Sequence, residues 1–123
     1  MGLPLRKSKV IAPPPSCPLT ECMSLLRGAW APNVIWYLSG GPRRFGELRH
    51  DIPPISARVL SARLRELEAK GVVTRQVLAT SPPSAEYALS ELGHELIPAI
   101  NAIVAVGHKL KLQPKTRRRT ASK

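Results

Sequence analysis

The sequence predicts an α+β fold, mainly helical, in which a helix-turn-helix is followed by a two-stranded β wing and then a long terminal helix. Three observations predict it. Residues 55–71 read as a capped amphipathic helix that carries arginines on its outer face. A shorter helical stretch, Arg43 to Arg49, precedes it across the extended link Pro53-Pro54. Beyond Gly71 the apolar period changes from helical to alternating.

Taken in order, residues 1–16 combine Pro4, Pro13, Pro14 and Pro15 with Arg6, Lys7 and Lys9 and have little to bury, so a disordered basic arm is expected. Order begins near Ser16. Pro18 suits a first helical position, and Leu19, Met23 and Leu26 share one helical face with Cys22 before Gly28. Pro32 starts a strongly apolar second helix with Val34, Ile35, Trp36 and Leu38, which Gly40-Gly41-Pro42 stops. In the next segment Phe45, Leu48 and Ile52 face inward.

Ser56 is a favoured N-cap, and Ile55 and Leu60 then occupy the two positions of a hydrophobic staple. Gly71 suits the left-handed residue of a Schellman stop, which sets Val72 beside Leu67. A step of ~100° per residue puts Ala57, Leu60, Leu64 and Leu67 on the inner stripe, with Arg58, Ser61, Ala62, Arg65 and Ala69 opposite. Small residues flanked by arginines suit an element that enters a groove, where guanidinium forks reach guanine edges or phosphates. A solvated surface helix and a plain αα-hairpin are the bland alternatives.

Val72 to Leu78 and Glu86 to Leu89 are the expected strands of the wing, joined by Ala79 to Ala85 with its tip at Ser81, Pro82, Pro83 and Ser84. Ser90 caps a last helix containing Leu92, Leu96, Ala99, Ile100, Ile103, Val104 and Val106. Its apolar surface is wider than one small domain covers, which points to a partner subunit. The folded domain is expected over residues 17–108, and residues 109–123 as a disordered basic tail.

A chain of 123 residues supports one domain, and with 4% aromatic residues its core must be aliphatic. The net charge of +11 is unevenly placed, because the two terminal segments hold ten of the nineteen basic residues and no acid. The body has nine bases against eight acids, a net +1, yet residues 43–75 alone carry +4. That polarity favours a nucleic-acid partner on one face. No apolar run is long enough to span a bilayer, so a cytoplasmic protein without a membrane partner is expected. Cys17 and Cys22 form no disulfide framework or zinc pattern, and His50, His94 and His108 lack ligand spacing, so neither metal nor cofactor is expected. No nucleophile–base motif, carboxylate pair or phosphate-cradling loop suggests an enzyme.

Three blocks, CPLTECMSLLRGAW, GPRRFGELRHDIPPISARVLSARLRELEAKGVV and SPPSAEYALSELGHELIPAI, resemble the HxlR family of bacterial winged helix-turn-helix transcriptional regulators from Cys17 to about Gly107. The resemblance implies a homodimer on double-stranded DNA, its operator an inverted repeat and its first and last helices forming the dimer interface. That interface falls on Leu19, Met23, Leu96, Ile100, Ile103 and Val104. DNA recognition falls on Ser56, Arg58, Ser61, Arg63 and Arg65, with phosphate contacts from Arg43 and Arg44. Cys17 matches a cysteine that senses oxidants or electrophiles in some members, so a redox or small-molecule effector is one reading, and a plain packing residue is the other. The chain departs from the family pattern in two places. Gly28-Ala29-Trp30-Ala31 lacks the usual basic residue and hydroxyl cap, and Ser84 stands where the wing usually has a base. The competing functional readings are a non-specific basic nucleic-acid-associated protein and a winged-helix protein-interaction module.

Overall fold

The computed structural model describes residues 2–10 and 17–112. Its elements are α1 (Pro18–Leu25), α2 (Ala31–Leu38), β1 (Arg43–Arg44), α3 (Phe45–Asp51), α4 (Ala57–Ala69), β2 (Val73–Leu78), β3 (Ser84–Leu89) and α5 (Glu91–Leu112). Residues 2–10 are exposed and form no helix or strand. The rest of the expected arm, and residues 113–123 of the expected tail, lie outside the described residues.

The core is aliphatic, as the composition requires. Val34, Ile35 and Leu38 of α2 meet Leu48 of α3, Leu60, Leu64 and Leu67 of α4, Val72, Val73 and Leu89 of the sheet, and Leu96 and Ile100 of α5. Ile52 and Ile55, on either side of the two prolines, are buried as well and so pin the α3–α4 link from both ends.

Helix α4 begins and ends as its sequence dictates. The Ser56 Oγ accepts the Val59 N–H at 3.1 Å, and Ile55 and Leu60 of the staple are both buried. At the other end Gly71 takes φ +79°, with Val72 N–H donating to the Leu67 carbonyl at 2.9 Å and Gly71 N–H to that of Glu68 at 3.1 Å. That bond pair is the Schellman stop. Ala57 differs from expectation, because it is exposed and Val59 packs against the core instead. The first turn overhangs the edge of the core, where Ile55 ahead of the cap already fills the space.

The sheet has three strands in the order β1-β3-β2, all antiparallel, where only the two wing strands were expected. Arg43 and Arg44, read from sequence as the start of a helix, pair with Tyr87 and Glu86 as a short edge strand. Gly41, at φ +128°, and Pro42 release the chain in an extended path, and the edge of β3 satisfies its backbone. A charged two-residue edge strand has no alternating apolar pattern to announce it. Helix α3 then starts at Phe45, and the Glu47 carboxylate accepts the Arg44 N–H at 2.8 Å.

The wing is more compact than expected, since β3 already begins at Ser84. Its tip is closed by hydrogen bonds from Thr80 Oγ1 to the Pro82 carbonyl at 2.8 Å and between Thr80 Oγ1 and Ser84 Oγ at 3.3 Å. Ser90 caps α5, its Oγ accepting the Gly93 N–H at 3.1 Å and donating to the Val72 carbonyl at 3.0 Å. Helix α5 continues through Pro98 to Leu112, taking in residues 109–112 that the sequence assigned to the tail. Val106 and Leu110 extend the aliphatic stripe past Ile103, and Lys109 and Lys111 suit a helix C-terminus.

Candidate nucleic-acid interface

The face built from α3, α4 and the sheet gathers most of the arginines of the body. Arg58 in the first turn of α4 is exposed and its side chain makes no hydrogen bond or ion pair among the described residues. Ser56 beside it is exposed, with its hydroxyl engaged as the cap. One and two turns further along the same face, Ser61 and Arg65 are linked, Arg65 Nη2 donating to Ser61 Oγ at 3.2 Å. Arg44 is also exposed, at the end of β1. Arg58, Ser61 and Arg65 lie along one face of α4 with Ser56 capping it, whereas Arg44 pairs with Glu86 and so projects from the sheet face opposite that of Arg75 and Tyr87.

Two other predicted contacts are committed inside the fold. The Arg43 guanidinium forks onto Asp51 and lies 3.9 Å from Glu47. Its hydrogen bond to Asp51, helped by both carboxylates and opposed by burial, holds the Arg43 pKa above the ordinary value. Arg63 is turned away from the exposed face. Its side chain is only 19% exposed, it pairs with Glu66 one turn on, and it lies over Gly28 in the α1–α2 turn. Gly28, at φ +103°, leaves room for it, since a Cβ there would sit 2.6 Å from Arg63 Nη1. Both guanidiniums are engaged as braces of the helix-turn-helix, Arg43 by Asp51 and Arg63 by Glu66.

A third brace joins α4 to α1. Lys70 Nζ donates to the Ser24 carbonyl at 2.8 Å, satisfying an orphan acceptor near the end of α1. The wing-tip residues Ser81, Pro82 and Pro83 are exposed and Ser84 is half-buried.

Sequence reading missed Arg75. It is exposed on β2 and shares a sheet face with Val73 and with Tyr87 of β3, its cross-strand partner. Strand parity carries the signal, because an arginine two residues after a buried valine points to the helix-covered side.

The terminal helices divide the expected interface residues. Leu19, Met23 and Ile103 are 67%, 54% and 61% exposed, as a surface awaiting a partner would be, and Val106 and Leu110 extend that exposed apolar stripe. Leu96 and Ile100 are instead buried in the core of the protomer, with Val104 packed partly against it. Helix α5 must cover α2 with one stripe before it can offer another outward, which the sequence pattern could not apportion.

Cys17 is the exposed N-cap of α1. The backbone N–H groups of Thr20 and Leu19 at the start of the helix, with the Thr20 hydroxyl, favour the thiolate and lower the Cys17 pKa from the ordinary thiol value against opposition from burial and Glu21. Cys22 is half-buried against the core.

A capped recognition helix, a short helix before it and a hydrogen-bonded β hairpin after it define a winged helix-turn-helix protein. The chain belongs to the HxlR-like helix-turn-helix family, whose model matches residues 25–114. It is 38% identical over 95 residues to the uncharacterized HTH-type transcriptional regulator YdeP of Bacillus subtilis, covering 77% of this chain and 74% of that protein. Among solved structures, the redox regulator HypR in its oxidized form superposes with a TM-score of 0.72 at 35% identity, over 76% of this chain and 96% of that one. The reduced form of the transcriptional regulator YodB from B. subtilis gives a TM-score of 0.64 at 40% identity, over 73% and 89%. The chain is thus a helix-turn-helix transcriptional regulator of a non-enzymatic family. No helix among the described residues is long and apolar enough to cross a membrane.

Proposed function

We propose that this regulator acts in the cytoplasm as a homodimer that binds double-stranded DNA at an inverted repeat, placing α4 of each protomer in a major groove and the β2–β3 wing beside it. The observation that carries this reading is Arg58, an uncommitted guanidinium in the first turn of a firmly capped helix. Recognition helices of this motif meet base edges with their N-terminal residues. Arg44 approaches a flanking phosphate, and Ser56 and Ser61 lie within the same footprint. Exposed Leu19, Met23 and Ile103 support a dimer seam made by α1 and α5. That one solved relative is a redox regulator and another was solved in its reduced form supports Cys17 as the point where an oxidant or electrophile acts.

Selection of bound sequences from random duplexes tests the proposal. Arg58→Ala should then weaken the selected site by about 1–3 kcal/mol relative to random DNA, the value of one bidentate base contact. Equal loss on both duplexes would assign Arg58 to phosphate, and selection that enriches no sequence would leave only non-specific binding.

A further inference from the structure

Between α4 and the sheet lies an open cleft of about 290 Å³ lined by Ser61, Arg65, Glu68, Arg75 and Tyr87. Strand register makes its floor. Tyr87 is the cross-strand partner of Arg75, and directly opposed residues project to the same face. That is the face on which Val73 and Leu89 are buried beneath the helices. Arg75, two residues beyond Val73, emerges where that cover ends, beside α4.

Both arginines can accept a ligand. Arg75 makes no side-chain hydrogen bond or ion pair among the described residues. Arg65 spends one donor on Ser61 Oγ at 3.2 Å, and a guanidinium has about five. Glu68, the carboxylate of that lining, pairs with neither of them. Two cationic forks and two hydroxyls around an open polar space suit a tetrahedral oxyanion, because guanidinium forks match phosphate oxygens in pairs.

The position along α4 says which anion. Arg65 is seven residues beyond Arg58, a rise of about 10.5 Å along a helix. The major groove is about 12 Å wide. With α4 entering the groove by its N-terminal turn and Arg58 on base edges, the turn of Arg65 falls at the groove wall, where the backbone runs.

We infer that this cleft is a phosphodiester clamp, in which Arg65 and Arg75, assisted by the Ser61 and Tyr87 hydroxyls, hold one backbone phosphate of duplex DNA per protomer. The inference rests on the DNA-binding reading above and moves Arg65 from base recognition to the backbone. Glu68 restrains the clamp. Its carboxylate repels the phosphate, keeps affinity for random DNA low, and leaves discrimination to Arg58.

The test compares the parent protein with Arg75→Gln, Glu68→Gln and Gln76→Ala, titrated with a selected duplex and a random duplex over a series of salt concentrations. Gln76 lies on the opposite face of β2 and serves as the control. Arg75→Gln should weaken both duplexes by the same factor and lower the slope of log affinity against log salt by about 0.9 per lost phosphate contact, about twice that for a dimer. Glu68→Gln should tighten both, and Gln76→Ala should change neither. Coincident thermal unfolding curves establish that the variants are folded, and if Arg75→Gln is not, Glu68→Gln still has to tighten binding. An unchanged salt slope in folded Arg75→Gln, or a loss confined to the selected duplex, overturns the clamp while DNA binding stands. Failure of the parent to bind either duplex overturns both.

Discussion

Arg43 holds Asp51 through two parallel hydrogen bonds, Nε to Oδ2 at 2.9 Å and Nη2 to Oδ1 at 2.8 Å. The pair ties the edge strand to the last residue of α3, and so sets the height of the turn from which α4 departs. Asp51 is well shielded, its side chain 17% exposed, so this is a firmer link than a surface ion pair.

The role of that pair can be separated from DNA contact. Asp51→Asn and Arg43→Ala should both lower the melting temperature, while the slope of DNA affinity against salt stays that of the parent. A reduced slope in Arg43→Ala would mean that Arg43 reaches a phosphate after all.

Gly93 sits in the first turn of α5, against the Val72 carbonyl and Leu89. A Cβ there would collide with the Val72 carbonyl and lie 3.0 Å from Leu89 Cδ2. Gly93→Ala should therefore cost about 1–3 kcal/mol in denaturant unfolding, the range for overpacking, despite the better helix propensity of alanine. A neutral or stabilised variant would show that α5 can shift freely against Val72.

The proposed dimer seam needs a probe outside the core. Ile103 is 61% exposed whereas Ile100 is 3% exposed, so only the former can report on association without emptying the core. Ile103→Glu should yield a folded monomer in sedimentation, with weakened binding to an inverted repeat. Ile100→Glu should unfold the protomer. A folded Ile103→Glu dimer would place the seam elsewhere.

Cys17 should ionise below the ordinary thiol value, because the backbone N–H groups of Thr20 and Leu19 favour the thiolate. Alkylation of Cys17 should thus rise with pH and level off at a lower pH than for a free thiol, and slow again as acid restores the proton. Diamide should alter the affinity of the parent for its selected duplex but not that of Cys17→Ser. A response surviving in Cys17→Ser would remove this cysteine as the sensor.

Elements whose signals are local were legible in the sequence. Ser56, Ile55 with Leu60, and Gly71 define α4 within a single stretch of chain, because caps and stops act between residues three to five apart. Ser90 marks the start of α5 in the same way, and the change of period after Gly71 marks the wing.

What each exposed charge or apolar side chain is free to do was set by packing between distant segments. Arg43, Arg58, Arg63 and Arg75 are the same residue type in one basic stretch, yet Asp51 occupies the first and Glu66 with Gly28 the third. Ile100 and Ile103 stand on one helix, and it is the packing against α2 that buries one and leaves the other outward. Periodicity says that a face is apolar or charged. The partners that claim it come from distant chain, through register and packing that no local pattern encodes.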